Sequence, residues 1–321
     1  MDILSEVLRT VRFFGSLDLR PEFSAPWLVT ADPGNAFADS LQLGNKHIVP
    51  FHIVAEGHCW VKTNQGICQD LSPGDIIIFP HGDSHILGNQ LEGTPTPITE
   101  LLPAPPWEPP PLLKHGGGGD LTRLVCGFLQ CEDFLSHPFL KTLPAFMHVR
   151  AFAEPTIPLL ETGVRHIIQE ANCSQPGSLC LLNRLVELMF VEILRGHMQS
   201  LSSQEQATGL AALNDPMIGQ VLEWFHAEPA RNWTVPELAK RVGMSRSALA
   251  QRFSELLGQP PMQYLTQWRL QLASRQLQTT NDGIAKIATQ VGYESEAAFN
   301  RAFKRYVGVP PGAWRSRKLM E

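Results

Sequence analysis

Two hydrophobic periods divide the chain. Between residues 47 and 88 the runs HIVPFHIVAEG, HCWVKT and GDIIIFP are rich in β-branched and aromatic residues. The turn signals Gln65-Gly66 and Ser72-Pro73-Gly74-Asp75 separate them, which predicts short strands and hairpins. Residues 121–129, LTRLVCGFL, resume as a strand. After about residue 158 the period lengthens. Leu181, Leu182, Leu185, Leu188, Met189 and Ile193 recur mostly at three- and four-residue steps, predicting a helix over 178–198. That stripe serves either packing on its own domain or a dimer helix. Residues 94–119 hold eight prolines and the four consecutive glycines 116–119, which predicts a long loop without a core element. Residues 199–214, rich in Ser, Gln and Ala, read as a linker. Asp215-Pro216 then starts a helix, with Asp as the cap and Pro at the first helical position, and the pattern stays helical to the end.

The helical end contains an internal repeat. Leu238-Ala239-Lys240-Arg241-Val242-Gly243-Met244 matches Ile287-Ala288-Thr289-Gln290-Val291-Gly292-Tyr293. Phe253, Gly258, Pro260 and Pro261 then match Phe303, Gly308, Pro310 and Pro311 with the spacing longer by one residue, so the second copy has one residue added between its helices. Each copy has the grammar of a helix-turn-helix, over about 235–257 and 284–307. Thr234 caps the first short helix, with Pro236 in its first turn and Glu237 at its third position. Gly243 ends it where a left-handed residue is needed, and Ser245 caps the next. Leu249, Phe253, Leu256 and Leu257 form the inner face of that second helix; Ala298, Phe299, Phe303 and Tyr306 form its counterpart in the other copy.

These repeats, with the closing YVGVPPGAWR, resemble the AraC/XylS family of transcription regulators over about 218–316. The resemblance implies a seven-helix domain in which a linking helix, around 262–279, holds two recognition helices against successive major-groove segments of double-stranded DNA. The recognition helices rank their residues. On the first, Arg246, Ser247, Ala250, Gln251 and Ser254 face away from the core; Ser247 and Gln251 share one face, and Gln can read adenine through two hydrogen bonds. On the second the outward set is Glu296, Ala297, Asn300 and Arg301, with Arg301 the candidate for bidentate contact to guanine. Lys304, Arg305 and Arg252 are candidates for phosphate. Glu294 complements a helix N-terminus.

In the first half, Gly74, Pro80, Gly82, His85 and Asn89 fit the second of the two cupin motifs. That resemblance implies a small β-barrel. The first cupin motif is not matched: Pro50 stands where its Glu would be, and His47 and His52 are off register. A metal needs three or four converging ligands, so no metal, cofactor or catalytic residue is assigned; the one alternative is a makeshift site from His52, His81 and His85, against the reading of His81 and His85 as turn residues. DILSEVLRTVRFFG, FSAPWLV, GHCWV, LVCGFLQ and HPFLKTLPAFMHV make the whole half resemble the variant cupin of one AraC-type subgroup, which implies a sensor and dimerisation role. His52, Trp60 and His85 are the candidates to line a small-ligand pocket. Cys59 and Cys68 flank a predicted hairpin and are the candidates for a redox pair, against the alternative that each is a small buried hydrophobe.

Charge sharpens this division. The chain carries a net charge of -5, but residues 216–321 hold 14 Lys and Arg against 8 Asp and Glu, while residues 1–215 hold 12 against 23. A basic C-terminal part beside an acidic one is expected where only one domain meets phosphate. The six cysteines form no Cys-x-x-Cys, and neither a signal peptide nor a membrane span is evident, which points to reduced thiols and a cytoplasmic protein. The expectation is therefore an α+β protein of two domains. Residues 1–198 would be a cupin-like barrel with a helical part at 158–198, residues 199–214 a linker, and residues 215–321 an all-α DNA-binding domain. Its function would be a non-enzymatic, homodimeric regulator controlled by a small ligand or oxidant, meeting RNA polymerase if it is an activator. The alternatives are a constitutive DNA-binding dimer and a metal-dependent cupin enzyme.

Overall fold

A computed structural model describes residues 3–10, 13–34, 47–104, 107, 110–131, 138–154, 156–171, 175–200 and 211–317. It forms two compact units, one of Val11–Ser200 and one of Leu201–Glu321 together with Met1–Thr10. The first ten residues, expected in the N-terminal domain, thus belong to the C-terminal unit. Their helix α1 (Ile3–Thr10) is amphipathic, and it buries Ile3, Leu4 and Val7. It lies against helices α7 (Ile218–Ala227) and α10 (Pro261–Thr279).

The unit Val11–Ser200 is built from two sheets. The six-stranded sheet runs β11-β6-β3-β10-β1-β9, with β1 at Phe13–Ser24, β3 at His47–Glu56, β6 at Asp75–Ile78, β9 at Leu112–Gly116, β10 at Leu121–Cys131 and β11 at Met147–Arg150. The five-stranded sheet runs β5-β4-β7-β2-β8, with β2 at Leu28–Ala31, β4 at Cys59–Thr63, β5 at Cys68–Leu71, β7 at His85–Gly88 and β8 at Thr96–Pro97. Side chains from both meet in one core that includes Leu19, Val54, Ile77, Leu124 and Cys126 from the first sheet and Val29, Cys59, Val61, Leu71 and Leu87 from the second. Among the described residues the two sheets close no ring, so the cupin-like domain is barrel-like only loosely and is described as an open sandwich.

The proline-rich stretch departs from expectation. Within residues 94–119 lie β8, helix α2 (Ile98–Leu101) and β9, and Ile98 and Leu113 are buried. Pairing explains it: β9 runs parallel to β1 and β8 parallel to β2, so neither needs a hairpin turn of its own. Pro97 is tolerated because β8 lies at a sheet edge. Residues 105, 106, 108 and 109 lie outside the described residues. Helix α3 spans Pro138–Lys141. Helices α4 (Pro158–Glu170) and α5 (Ser178–Ser200) pack on each other, and α5 lies against β1. The approach needs Gly15, where an added Cβ would meet Asn183 and Val186.

Helix α6 (Ala211–Asn214) opens the described C-terminal chain; the expected linker reaches this helix, and residues 201–210 lie outside the described residues. Then come α7, α8 (Val235–Arg241), α9 (Arg246–Leu257), α10, α11 (Ile284–Gln290), α12 (Glu296–Val307) and α13 (Pro311–Arg317). The repeat is repeated in three dimensions. Thr234 accepts a hydrogen bond from the Glu237 N–H, Ser245 from the Ala248 N–H and Ser295 from the Ala298 N–H. In each turn a positive-φ glycine, Gly243 or Gly292, is followed by an N–H that returns to the inner alanine: Met244 to Ala239 and Tyr293 to Ala288, both at 2.9 Å. The residue added in the second turn is Glu294, between Tyr293 and the capping Ser295.

The two glycines are unequal. At Gly243 (φ +71°) nothing lies within 4 Å of an added Cβ, whereas at Gly292 (φ +92°) Ala230 backbone stands 2.8 Å away and the Arg269 guanidinium 2.9 Å. Gly243→Ala should cost about 1 kcal/mol for backbone conformation alone. Gly292→Ala should cost roughly twice that or more. Urea denaturation of the two variants checks it, and equal losses would show that the second turn is not crowded.

Candidate nucleic-acid interface and sensor cavity

One side chain ties the two helix-turn-helix units together. Arg269, on the linking helix α10, donates from Nε to the Pro229 carbonyl (2.6 Å), from Nη2 to the Arg231 carbonyl (2.8 Å) and from Nη1 to the Gly292 carbonyl (3.3 Å). The first two carbonyls precede α8 and the third sits in the second turn. Arginine's planar fork suits three acceptors held in fixed directions. Sequence periodicity gave no signal for this role, because Arg269 lies on a helix whose polar residues look interchangeable.

The recognition helices α9 and α12 present most of the predicted outward sets, but Ala250 and Ser254 are half-buried. Arg246, Ser247, Gln251, Glu296, Ala297, Arg301, Lys304 and Arg305 are exposed, while Leu249, Phe253, Phe299 and Phe303 are buried. Asn300 is half-buried, and its side-chain oxygen is shielded with no hydrogen-bond partner among the described residues. Ser247 Oγ lies 3.1 Å from Ser245 Oγ, and Gln251 Nε2 donates to Glu255 at 2.8 Å. No described ion pair engages Arg246, Arg301 or Lys304. Glu294 accepts from Asn232 Nδ2 at 3.4 Å, a contact between the two halves that its place near a helix start did not reveal.

Several basic residues are spent inside the domain. Arg231 lies over Trp233 and pairs with Glu228 and Glu237; Arg241 lies over Trp233 and Trp224 and pairs with Glu237. Arg252, expected at phosphate, grips Asp215 instead, with Nε at 2.7 Å and Nη2 at 2.5 Å from its carboxylate. Asp215 also accepts from the Met217 and Ile218 N–H groups, as its capping role predicted. Burial opposes ionisation of this carboxyl most, but the Ile218 N–H, Arg252 and the Met217 N–H together hold it below the ordinary carboxylate value.

In the sandwich, His52 and His85 do converge, in its buried interior. Their Nε2 atoms are 2.7 Å apart, His52 Nδ1 lies 2.9 Å from Cys126 Sγ, and His85 Nδ1 lies 3.0 Å from the Asp83 carbonyl. Phe79 stacks on His85 with ring centroids 3.7 Å apart. Burial pushes His85 down to about 4 and His52 well below the usual imidazole value, the latter with help from His85. Trp60 does not join them. It pairs with Gly88 across β4 and β7, whereas Thr63 pairs with His85, so the two-residue strand period puts Trp60 on the opposite face.

The same rule separates Cys59 from Cys68. Cys59 points into the core with Val61, while Cys68 is exposed opposite Lys62. They form no pair, and burial, with Asp75 nearby, pushes the Cys59 thiol up to about 12. The cysteine that does meet chemistry is Cys126, beside His52; only pairing across β3 and β10 brings the two together. Cys173 lies outside the described residues. As a metal site the cluster does not fit: two imidazole nitrogens share one spot, and no group of three or more His, Cys, Asp or Glu residues able to hold a metal occurs among the described residues. No described helix is long and apolar enough to cross a membrane.

A double-sheet domain with a small apolar cavity, followed by two tandem, capped helix-turn-helix units, defines a class of DNA-binding regulator. Comparison with known proteins agrees. The family described as Cupin matches residues 2–199, and the helix-turn-helix domain family matches residues 238–317. The chain belongs to the AraC-like transcription regulators. It is 31% identical to a putative AraC-like transcription regulator of Streptomyces lividans, over 100% of both chains. It is 30% identical to the transcriptional regulator AlkR of Acinetobacter baylyi, over 83% of this chain and 87% of that one. The solved DNA-binding domain of AdpA, in complex with a target DNA, is 32% identical over 32% of this chain and 92% of that chain, with a TM-score of 0.31.

Two expectations follow from these sites. Arg252→Ala should destabilise the C-terminal unit by about 1–2 kcal/mol, less than a fully buried pair because the guanidinium is partly exposed. It should leave the salt dependence of DNA binding unchanged; a slope reduced by about one would return Arg252 to the phosphate contacts. Second, His52 and His85 are neutral when folded and bind protons more readily when unfolded. The sandwich should therefore lose stability as pH falls from about 6.5 towards about 4, and stay level above that window. Thermal unfolding against pH checks it, and His85→Gln should flatten the profile.

Proposed function

We propose that the protein reads a specific operator through α9 and α12, placed in adjacent major-groove segments, and that its sandwich domain sets when it does so. The observation that carries this is that Arg246, Arg301 and Lys304 stand exposed on the outward faces of the two recognition helices and enter no described ion pair. Arg301 is assigned to a guanine edge and Asn300 and Gln251 to base edges, with Ser247 beside Gln251. Arg246, Lys304 and Arg305 are assigned to phosphates, and Glu296 to the start of α12, where its charge favours the helix dipole. Arg252 is left out of the set because Asp215 occupies it.

The chain acts as a homodimer in this reading. The apolar stripe on α5 supports it: Leu181 and Leu188 are 47% and 55% exposed, although the rest of the stripe packs on its own domain. A small ligand or an oxidant acting on the sandwich is the control, supported by the cavity beside His52. It is lined largely by apolar side chains, among them Leu19, Ile48, Pro50, Ile98 and Phe128. The protein works in the cytoplasm without catalytic turnover, and meets RNA polymerase if it activates. Constitutive binding gains ground if nothing that enters the cavity shifts DNA affinity.

Binding of fluorescent operator and random duplexes, titrated against salt, tests the reading. Arg301→Ala should lose roughly 1–3 kcal/mol on the operator and relax discrimination at one base pair. Equal losses on both duplexes would reduce Arg301 to a phosphate contact.

A further inference from the structure

The three hydrogen bonds around His52 fix where every proton in the cluster sits. A backbone carbonyl only accepts, so His85 Nδ1 carries a proton and donates it to Asp83. In a neutral ring the other nitrogen is then bare, so His85 Nε2 accepts from His52 Nε2–H. His52 Nδ1 is bare in turn and accepts from the Cys126 thiol. Both rings are neutral at pH 7 because burial opposes their protonation. The result is a one-way chain: thiol to base, base to an orienting imidazole, imidazole to a fixed carbonyl. That is the arrangement of nucleophile, general base and positioning residue. Cys126 and His52 both line the apolar cavity, together with Leu19, Pro50, Ile98 and Phe128.

Burial holds Cys126 as a thiol rather than a thiolate. A reaction in this cavity must therefore begin and end uncharged, and the thiol proton must move as the new bond forms. Conjugate addition meets both demands. Sulfur bonds to the β carbon of an activated alkene while the alkene π pair shifts towards the carbonyl. The thiol proton passes to His52 Nδ1 and from there to the α carbon. No bond is left open, no charge remains and no oxidant or reductant is consumed. While His52 briefly holds both protons, His85 accepts from its Nε2–H and stays oriented by Asp83. A carboxylate-bearing reagent would be desolvated in the cavity with no Lys or Arg among its described lining residues, and Asp32 at the lining would repel it.

We propose that Cys126 is a covalent capture site for small, uncharged α,β-unsaturated carbonyl compounds, with His52 moving the thiol proton and His85 positioning His52. The proposal rests on the reading of the sandwich as the effector-binding part of the protein. The full chain is treated with methyl vinyl ketone and mapped by peptide mass spectrometry, with exposed Cys68 and Cys180 as internal references. Cys126 should gain the adduct while buried Cys59 stays free. His52→Gln should slow labelling of Cys126 relative to Cys68 by at least about tenfold. Local unfolding would instead speed it, so the two effects have opposite signs. His85→Phe should slow it too, and His85→Gln, which keeps an acceptor for His52, should restore most of the rate. The anionic trans-4-oxobut-2-enoate should label Cys68 but not Cys126. An unlabelled Cys126 when Cys68 is fully modified, or a rate unchanged by His52→Gln, overturns the proposal. Labelling of Cys126 by the anion overturns its restriction to uncharged compounds. Operator affinity of the fully labelled protein is read separately: an adduct on Cys126 with unchanged affinity upholds capture and defeats the effector reading.

Discussion

The DNA-binding unit depends on one guanidinium. Each helix-turn-helix can build itself from local rules, since its caps, its glycine turn and its inner apolar face all lie within about two dozen residues. None of these sets the position of one unit against the other. Arg269 does, by holding carbonyls from the approach to the first unit and from the turn of the second in one planar fork. The Arg231 carbonyl also accepts from the Trp233 N–H at 2.8 Å, so the guanidinium joins a turn that is already hydrogen-bonded. Gly292 is part of the same solution, because the guanidinium occupies the space a side chain there would take. Trp314 donates to the Ser274 carbonyl of α10 and Arg315 to the Asp282 carbonyl in the loop after it, which fastens α13 to the linking helix and its exit.

How much was legible in the sequence follows from the range of the forces involved. The helix-turn-helix units were legible to the residue, because capping and left-handed turns are decided by neighbours three or four positions apart. The partners of Arg252 and Arg269 were not, because they are 23 to 40 residues away and a charge pattern cannot say which arginines are spent internally. In the sandwich, the strands were visible, but their pairing was not. His52 and His85 were chosen as cavity residues and do meet, although Trp60, three residues from Thr63, faces outward by strand parity. Cys126 was passed over because its meaning depends on standing opposite His52 in a neighbouring strand. The proline-rich stretch misled for a related reason: composition reports local preference, and an edge strand needs only one willing neighbour.

The interior of the sandwich is a polar thread in an apolar setting. Each of its members is satisfied by the next, so the cost of burying two imidazoles and a thiol is offset without any charge. That makes the thread stable at neutral pH and gives it a direction, since only the last member, a carbonyl, cannot be reversed. A change at the Cys126 end is felt by His85 on the opposite sheet, because β3 and β7 belong to different sheets and His52 and His85 are joined across the space between them.

The outward faces of α9 and α12 have a different freedom. Ala297, Arg301 and Ser247 hold up no part of the core, and the glycine turns and aromatic inner faces that do so lie elsewhere. On the proposed assignment of base contacts, substitutions at those positions would leave folding intact while altering which bases are preferred. A chain built this way can change its genomic targets by drift at a handful of sites, keeping its scaffold untouched, and a duplicated copy could acquire a separate set of genes without first passing through an unfolded ancestor.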